Sequence, residues 1–244
     1  MKKGMSFLIC VAMFATGIFS PQKTVYATPT VSNGEDPNQT LLLQTRFRNQ
    51  GDFGGQDLDG WEMATGLSTG FPAGAVNRDF GYGPHWSTSN YFEIVYNSVL
   101  DTLKVSMDVN GGGFDHFLTY SGFNPASLNY IMFQVWSRDT TGEWWLTGLT
   151  LNSTLLGTGV FGTTNPGSDG IQTWNITGED LSSGFTLSGT LNLTGPFANV
   201  SSEELNKIDF KFGTVPEPEI PEPATMALIG TGLAALAARR KRLV

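Results

Sequence analysis

Carboxylates, imidazoles and indoles are the side chains here on which chemistry would draw. Asp57-Leu58-Asp59-Gly60, with Asp52 nearby, gathers hard oxygen donors around a glycine bend, a pattern that suits Ca²⁺. Asp57 and Asp59 are therefore the candidate metal ligands. The position where an EF-hand loop carries its closing bidentate acid is here Ser68, so the competing reading is a solvated turn. His85 and His116 are the only two histidines, and their spacing fits no helical metal motif such as His-Glu-x-x-His. Two carboxylates across a cleft would serve glycoside hydrolysis, and Glu62, Glu93 and Glu143 sit among aromatic residues, where burial would raise a carboxyl pKa. Sequence supplies no distance between any pair. A serine nucleophile is not expected. Gly111–Gly113 lacks the lysine and helix that complete a phosphate loop. No residue is assigned a catalytic role.

The indoles are the stronger lead. Six tryptophans are many for one mid-sized domain. Their flat apolar faces stack on ligands when exposed and fill cores when buried, and core packing is the default. Trp144 and Trp145 are adjacent. In an extended strand they point to opposite faces, so at least one leaves the core. That pair is the candidate ligand surface, with matrix polysaccharide as the ligand class.

Such residues need a scaffold, and the patterning predicts strands. Leu103, Val105 and Met107 alternate with Thr102, Lys104 and Ser106; Phe185, Leu187 and Leu191 with Thr186, Ser188 and Asn192; Ile208, Phe210 and Phe212 with Lys207, Asp209 and Lys211. Period two puts apolar groups on one pleated face and leaves the polar set for water. Residues 91–96 and 130–136 are dense in large side chains and read as central strands; 41–48, 145–151 and 171–176 are further strands. Gly, Asn, Asp, Ser and Pro clusters between them supply turns. Only 201–206 hints at a helical turn. The expected fold is all-β, an antiparallel β-sandwich of jelly-roll-like type, with a barrel as the alternative.

Composition bounds the partners. All 22 acidic residues lie between positions 28 and 223, whereas seven of the 14 basic residues (Lys2, Lys3, Lys23, Arg239, Arg240, Lys241 and Arg242) lie outside that body. Seven basic groups against 22 acids give the body a net charge of −15. Such a surface repels nucleic acid. The single cysteine, Cys10, lies in the N-terminal leader, so disulfides and thiolate chemistry are absent from the body. No cofactor is expected, apart from the Ca²⁺ option.

The two ends carry addresses. Lys2 and Lys3 precede an apolar stretch, 7–19, and Val25-Tyr26-Ala27 supplies a cleavage site before Thr28, the layout of a secretory signal peptide. At the other end, Pro221-Glu222-Pro223 is followed by an apolar run, 224–238, and then by Arg239-Arg240-Lys241-Arg242. As a helix the run spans about 22 Å, short of the roughly 20 residues a bilayer normally takes, and snorkelling arginine stems would extend it. The basic cluster acts as a membrane stop on the cytoplasmic side.

This order of motif, helix and basic end resembles the PEP-CTERM sorting signal. The resemblance implies recognition by an exosortase, a membrane-embedded protease, removal of the helix, and delivery of the body to the cell surface or extracellular matrix. The body resembles the choice-of-anchor surface domains at Asp59-Gly60-Trp61, Thr186 to Thr194 and the final strand 207–212. The domain plan is a signal peptide (1–27), a β-sandwich (28–213), a Pro/Glu linker (214–223) and a single short transmembrane helix with its basic tail (224–244). The function expected is that of an exported, non-enzymatic surface or matrix protein. A carbohydrate-binding module or a polysaccharide-acting hydrolase is the alternative. The expected partners are an exosortase, signal peptidase, the inner membrane before processing, and matrix polysaccharide.

Overall fold

The structure, a computed structural model, describes residues 28–48, 63–78, 88–108, 113–114, 116–123, 125, 127–137, 143–157, 160–163, 170–194 and 206–216. Among these there are strands and no helix. In chain order they are β1 (Thr30–Asn33), β2 (Thr40–Arg48), β3 (Met63–Leu67), β4 (Val76–Arg78), β5 (Ser89–Asn97), β6 (Thr102–Asp108), β7 (His116–Ser121), β8 (Tyr130–Ser137), β9 (Glu143–Leu151), β10 (Thr154–Leu155), β11 (Phe161–Thr163), β12 (Gly170–Thr177), β13 (Phe185–Thr194) and β14 (Asn206–Thr214). Every pairing is antiparallel. The first sheet runs β1-β12-β8-β14-β2-β3-β4. The second runs β10-β9-β13-β5-β6-β7, with β11 also on the outer edge of β9. Among the described residues no strand pairing joins one sheet to the other, so they do not close into a barrel.

The alternating segments form because each can hide one side-chain set. Leu103, Val105 and Met107 of β6, Leu187 and Leu191 of β13, and Ile208, Phe210 and Phe212 of β14 are fully buried and belong to one apolar core fed by both sheets. Phenylalanines bridge the layers. The Phe92 ring of the second sheet lies 5.6 Å from Phe47 and 5.2 Å from Phe210 of the first, and Phe185 stacks on Phe212 at 5.1 Å. Such ring pairs each contribute about 0.5–1.5 kcal/mol beyond burial. Gly189 faces this core, where an added Cβ would come within 3.3 Å of Phe92 and Leu149; its bare backbone makes room for the rings.

The segments read as central, 91–96 and 130–136, are interior strands, β5 and β8. One expectation needs correction. The polar sets of β6 and β14 do not all stand in water: Ser106 is 1% exposed, Asp209 1% and Lys207 9%. The ion pair described below is what allows a carboxylate to be buried there. The expected linker, beyond Pro216, and the expected transmembrane run, 224–238, lie outside the described residues. Of the helical turn expected at 201–206, residues 201–205 also lie outside the described residues, and Asn206 instead opens β14, where it pairs with β8. Among the described residues no helix is long and apolar enough to cross a membrane.

β14 is the last strand and sits inside its sheet, between β8 and β2. Its end is clamped: the Asn129 side chain donates to the Val215 carbonyl at 3.0 Å and accepts from the Val215 N–H at 2.9 Å. Pro216 follows and, lacking an N–H, cannot continue the ladder.

Candidate functional site

β9 carries the adjacent tryptophans, and its pleat separates them. Trp144 points into the core at 0% exposure within the shared apolar cluster. It is therefore not on any surface. Trp145 points the other way and lies half-buried on the outer face of the second sheet. It sits between Asn192 of β13 and Gly162 of β11.

That outer face holds further rings. Tyr91 of β5 is 43% exposed and Phe117 of β7 is 51% exposed. The register relates the three. Trp145 is opposite Asn192, and Thr190, two residues along β13, is opposite Tyr91. Tyr91 is opposite Asp108, and Ser106, two residues along β6, is opposite Phe117. Each ring is thus two strands across and two residues along from the last, about 12 Å between Cα positions, and the whole diagonal runs about 24 Å. Lys104 places its ammonium 5.5 Å over the Phe117 ring, and Phe114 packs 5.7 Å from Tyr91. Between Trp145 and Tyr91 lie Thr147, Thr190 and Asn192, with Ser188 and Thr150 alongside, and between Tyr91 and Phe117 lie Ser106 and the carboxylates Asp108 and Glu93. Thr150 and Ser188 share a 2.8 Å hydrogen bond, and Asn192 donates to Thr147 at 2.9 Å.

The outer face of the first sheet differs. Arg46, Arg48, Lys207 and Lys211 of β2 and β14 gather there, four of the body's seven basic residues. The Arg46 Nε donates to Asp209 Oδ1 at 2.6 Å, its Nη2 to Oδ2 at 3.3 Å, and Gln44 to Oδ1 at 3.1 Å. Lys211 donates to Gln134 at 2.9 Å, and Gln134 donates to Glu35 and Thr173, each at 3.2 Å. Lys207 lies 4.2 Å over the Trp136 ring, and Arg46 lies 5.2 Å over Phe71. Charged groups buried this deeply persist because they are paired. The cluster is a knitted structural layer with its donors engaged within the chain.

The remaining candidates do not converge. Asp57 and Asp59 lie outside the described residues, as do Glu62 and His85. His116 begins β7, opposite Met107, so it is the strand-end residue expected. Among the described residues no group of three His, Cys, Asp or Glu side chains comes together to hold a metal. Glu93 lies opposite Ser188 and Ser106 on the outer face. Sequence reasoning overlooked one string: Gly66-Leu67-Ser68-Thr69-Gly70 spells Gly-x-Ser-x-Gly. The nucleophile elbow requires a strand-to-helix turn. Here Ser68 leaves β3 into a turn, its N–H bound to the Leu42 carbonyl at 2.9 Å. Beside it opens a cavity of about 430 Å³ walled by Leu41, Leu42, Leu67, Phe123, Pro125 and Thr214, with no ionisable group among the described residues that line it.

The PEP-CTERM protein-sorting motif matches residues 219–242. The match takes in Pro221, Glu222 and Pro223 and the cluster Arg239, Arg240, Lys241 and Arg242. It implies recognition by an exosortase-type processing enzyme, with export and a membrane-anchored sorting stage. No curated protein matches the chain.

Proposed function

We propose that the chain is sorted cargo: an exported, non-enzymatic β-sandwich that an exosortase receives at the membrane and releases to the cell surface or extracellular matrix. The motif match at 219–242 carries this reading. Its parts have a division of labour that physics makes sense of. The apolar run and basic end hold the precursor in the bilayer, Pro-Glu repeats keep the motif extended and accessible, and the acidic body stays soluble after release. Signal peptidase would remove the leader before Thr28. A choice-of-anchor-like surface domain fits the same role. Deleting residues 221–244 tests the proposal. The body should then appear in the culture medium, and unchanged localisation would overturn the sorting role.

A second reading concerns the body itself. The outward rings Tyr91, Phe117 and Trp145, set among hydroxyls, favour binding to matrix polysaccharide. Glycan-affinity measurements on the exported protein test it.

A further inference from the structure

We infer that the outer face of the second sheet is a track for one extended, uncharged polysaccharide chain, laid diagonally across the strands over Trp145, Tyr91 and Phe117. This rests on the polysaccharide-binding reading and adds to it the face, the direction and the charge class of the ligand.

Three observations carry it. First, the rings are regularly placed. The register puts successive Cα positions about 12 Å apart on one line, close to the length of a disaccharide, so about every second sugar ring in a straight chain would meet an aromatic ring. Tyr91 and Phe117 are about half exposed, which leaves flat ring surface for a ligand to cover. Second, the ground between Trp145 and Tyr91 is hydroxyl and amide, and between Tyr91 and Phe117 Ser106 lies with the carboxylates Asp108 and Glu93, which accept from sugar hydroxyls. Thr147, Thr190, Ser188 and Asn192 present groups that both donate and accept, the complement of sugar hydroxyls. Thr147 already accepts from Asn192 and Ser188 already bonds Thr150, and each hydroxyl keeps a further lone pair or proton that a sugar hydroxyl can meet. Third, charge selects the chain. The body carries a net −15, which repels polyanions. The body's basic residues concentrate on the opposite sheet, where Arg46 is spent on Asp209 and Lys211 on Gln134. On the track itself Lys104 is the only cation among the described residues, and it sits over Phe117. A polyanion is repelled further by Asp108 and Glu93 beside Tyr91, and these two carboxylates, the first already accepting from the Gly113 N–H at 3.1 Å, do not make a row matched to a strongly cationic chain.

The test uses the full chain in mild detergent. Depletion from solution by cellulose particles and by amylose resin is measured, together with retardation in gels containing neutral galactomannan, anionic alginate or cationic chitosan. At least one neutral glycan should bind. Tyr91→Ala, Phe117→Ala and Trp145→Ala should each weaken it roughly 2- to 12-fold, and the triple variant should lose it. Thr190→Arg, which raises a bulky group between Trp145 and Tyr91, should block binding with all three rings in place and guards against misfolding of the triple variant. Neutral-glycan binding untouched by these changes overturns the track and leaves the polysaccharide reading standing. Binding confined to alginate or chitosan overturns the charge class. Binding to none of the five overturns both the track and the reading beneath it.

Discussion

Replacing Trp144 and Trp145 by alanine, one at a time, should give opposite phenotypes from neighbouring positions. Trp144 is at 0% exposure in the core, and its ring packs where both sheets contribute. Truncation removes an aromatic side chain that buries about 150–250 Å² and leaves a cavity, a change that costs about 3–5 kcal/mol. For a domain of this size each kcal/mol lowers Tm by about 2–4 °C, so the expected fall is roughly 6–20 °C. Trp145→Ala removes a half-buried ring from an outer face and should cost about 1 kcal/mol or less, in the range of substitutions away from the core. Urea titration followed by far-UV circular dichroism measures both, and the midpoint should shift at constant slope. Equal losses at the two positions would refute the assigned pleat of β9 and, with it, the outward placement of Trp145.

Asp209→Ala should cost about 3–5 kcal/mol, because it strips the buried acceptor from Arg46 and Gln44; the stacking of Arg46 on Phe71 holds the loss toward the lower end, and a midpoint shift under 1 kcal/mol would mean the pair is surface-like. Gly213→Ala should destabilise by about 1–3 kcal/mol through overpacking, since the new Cβ would press on the Thr40 carbonyl where β14 bulges against β2; thermal melts decide it. Burial holds the Tyr130 and Tyr96 phenols above their ordinary 10.0, so the folded state keeps protons that the unfolded chain gives up. Their contribution to stability should be constant below pH 10 and fall as pH rises past it, measured by denaturant midpoints across an alkaline series.

Much of this architecture could be read from alternation. β6, β13 and β14 announce themselves because every second residue is apolar, and the core uses those residues. Strands without that signature went unread. β1 has the polar run Thr-Val-Ser-Asn, β3 contains Gly66, and β10 is two residues long; each is a strand because a neighbour offers a ladder, which is a tertiary cause. The burial of Asp209 was equally invisible, since a lone acid in β14 reads as solvent-facing until Arg46 of β2 is placed beside it. For the candidate site, the sequence could say that Trp144 and Trp145 diverge. It could not say which one faces out. Nor could it align Tyr91 and Phe117 with Trp145, because that line depends on the register of five strands. The sorting motif, by contrast, is contiguous and needs no fold to be recognised.

The inset position of β14 also bears on mechanics. In the proposed sorting scheme, a tether at the bilayer would pull on Val215, in line with a strand laddered on both sides to β8 and β2. Force applied along such a strand loads both ladders in shear, with the hydrogen bonds sharing the strain, instead of peeling an edge one bond at a time. The cargo can thus be tugged or severed at its leash without its fabric starting to fray.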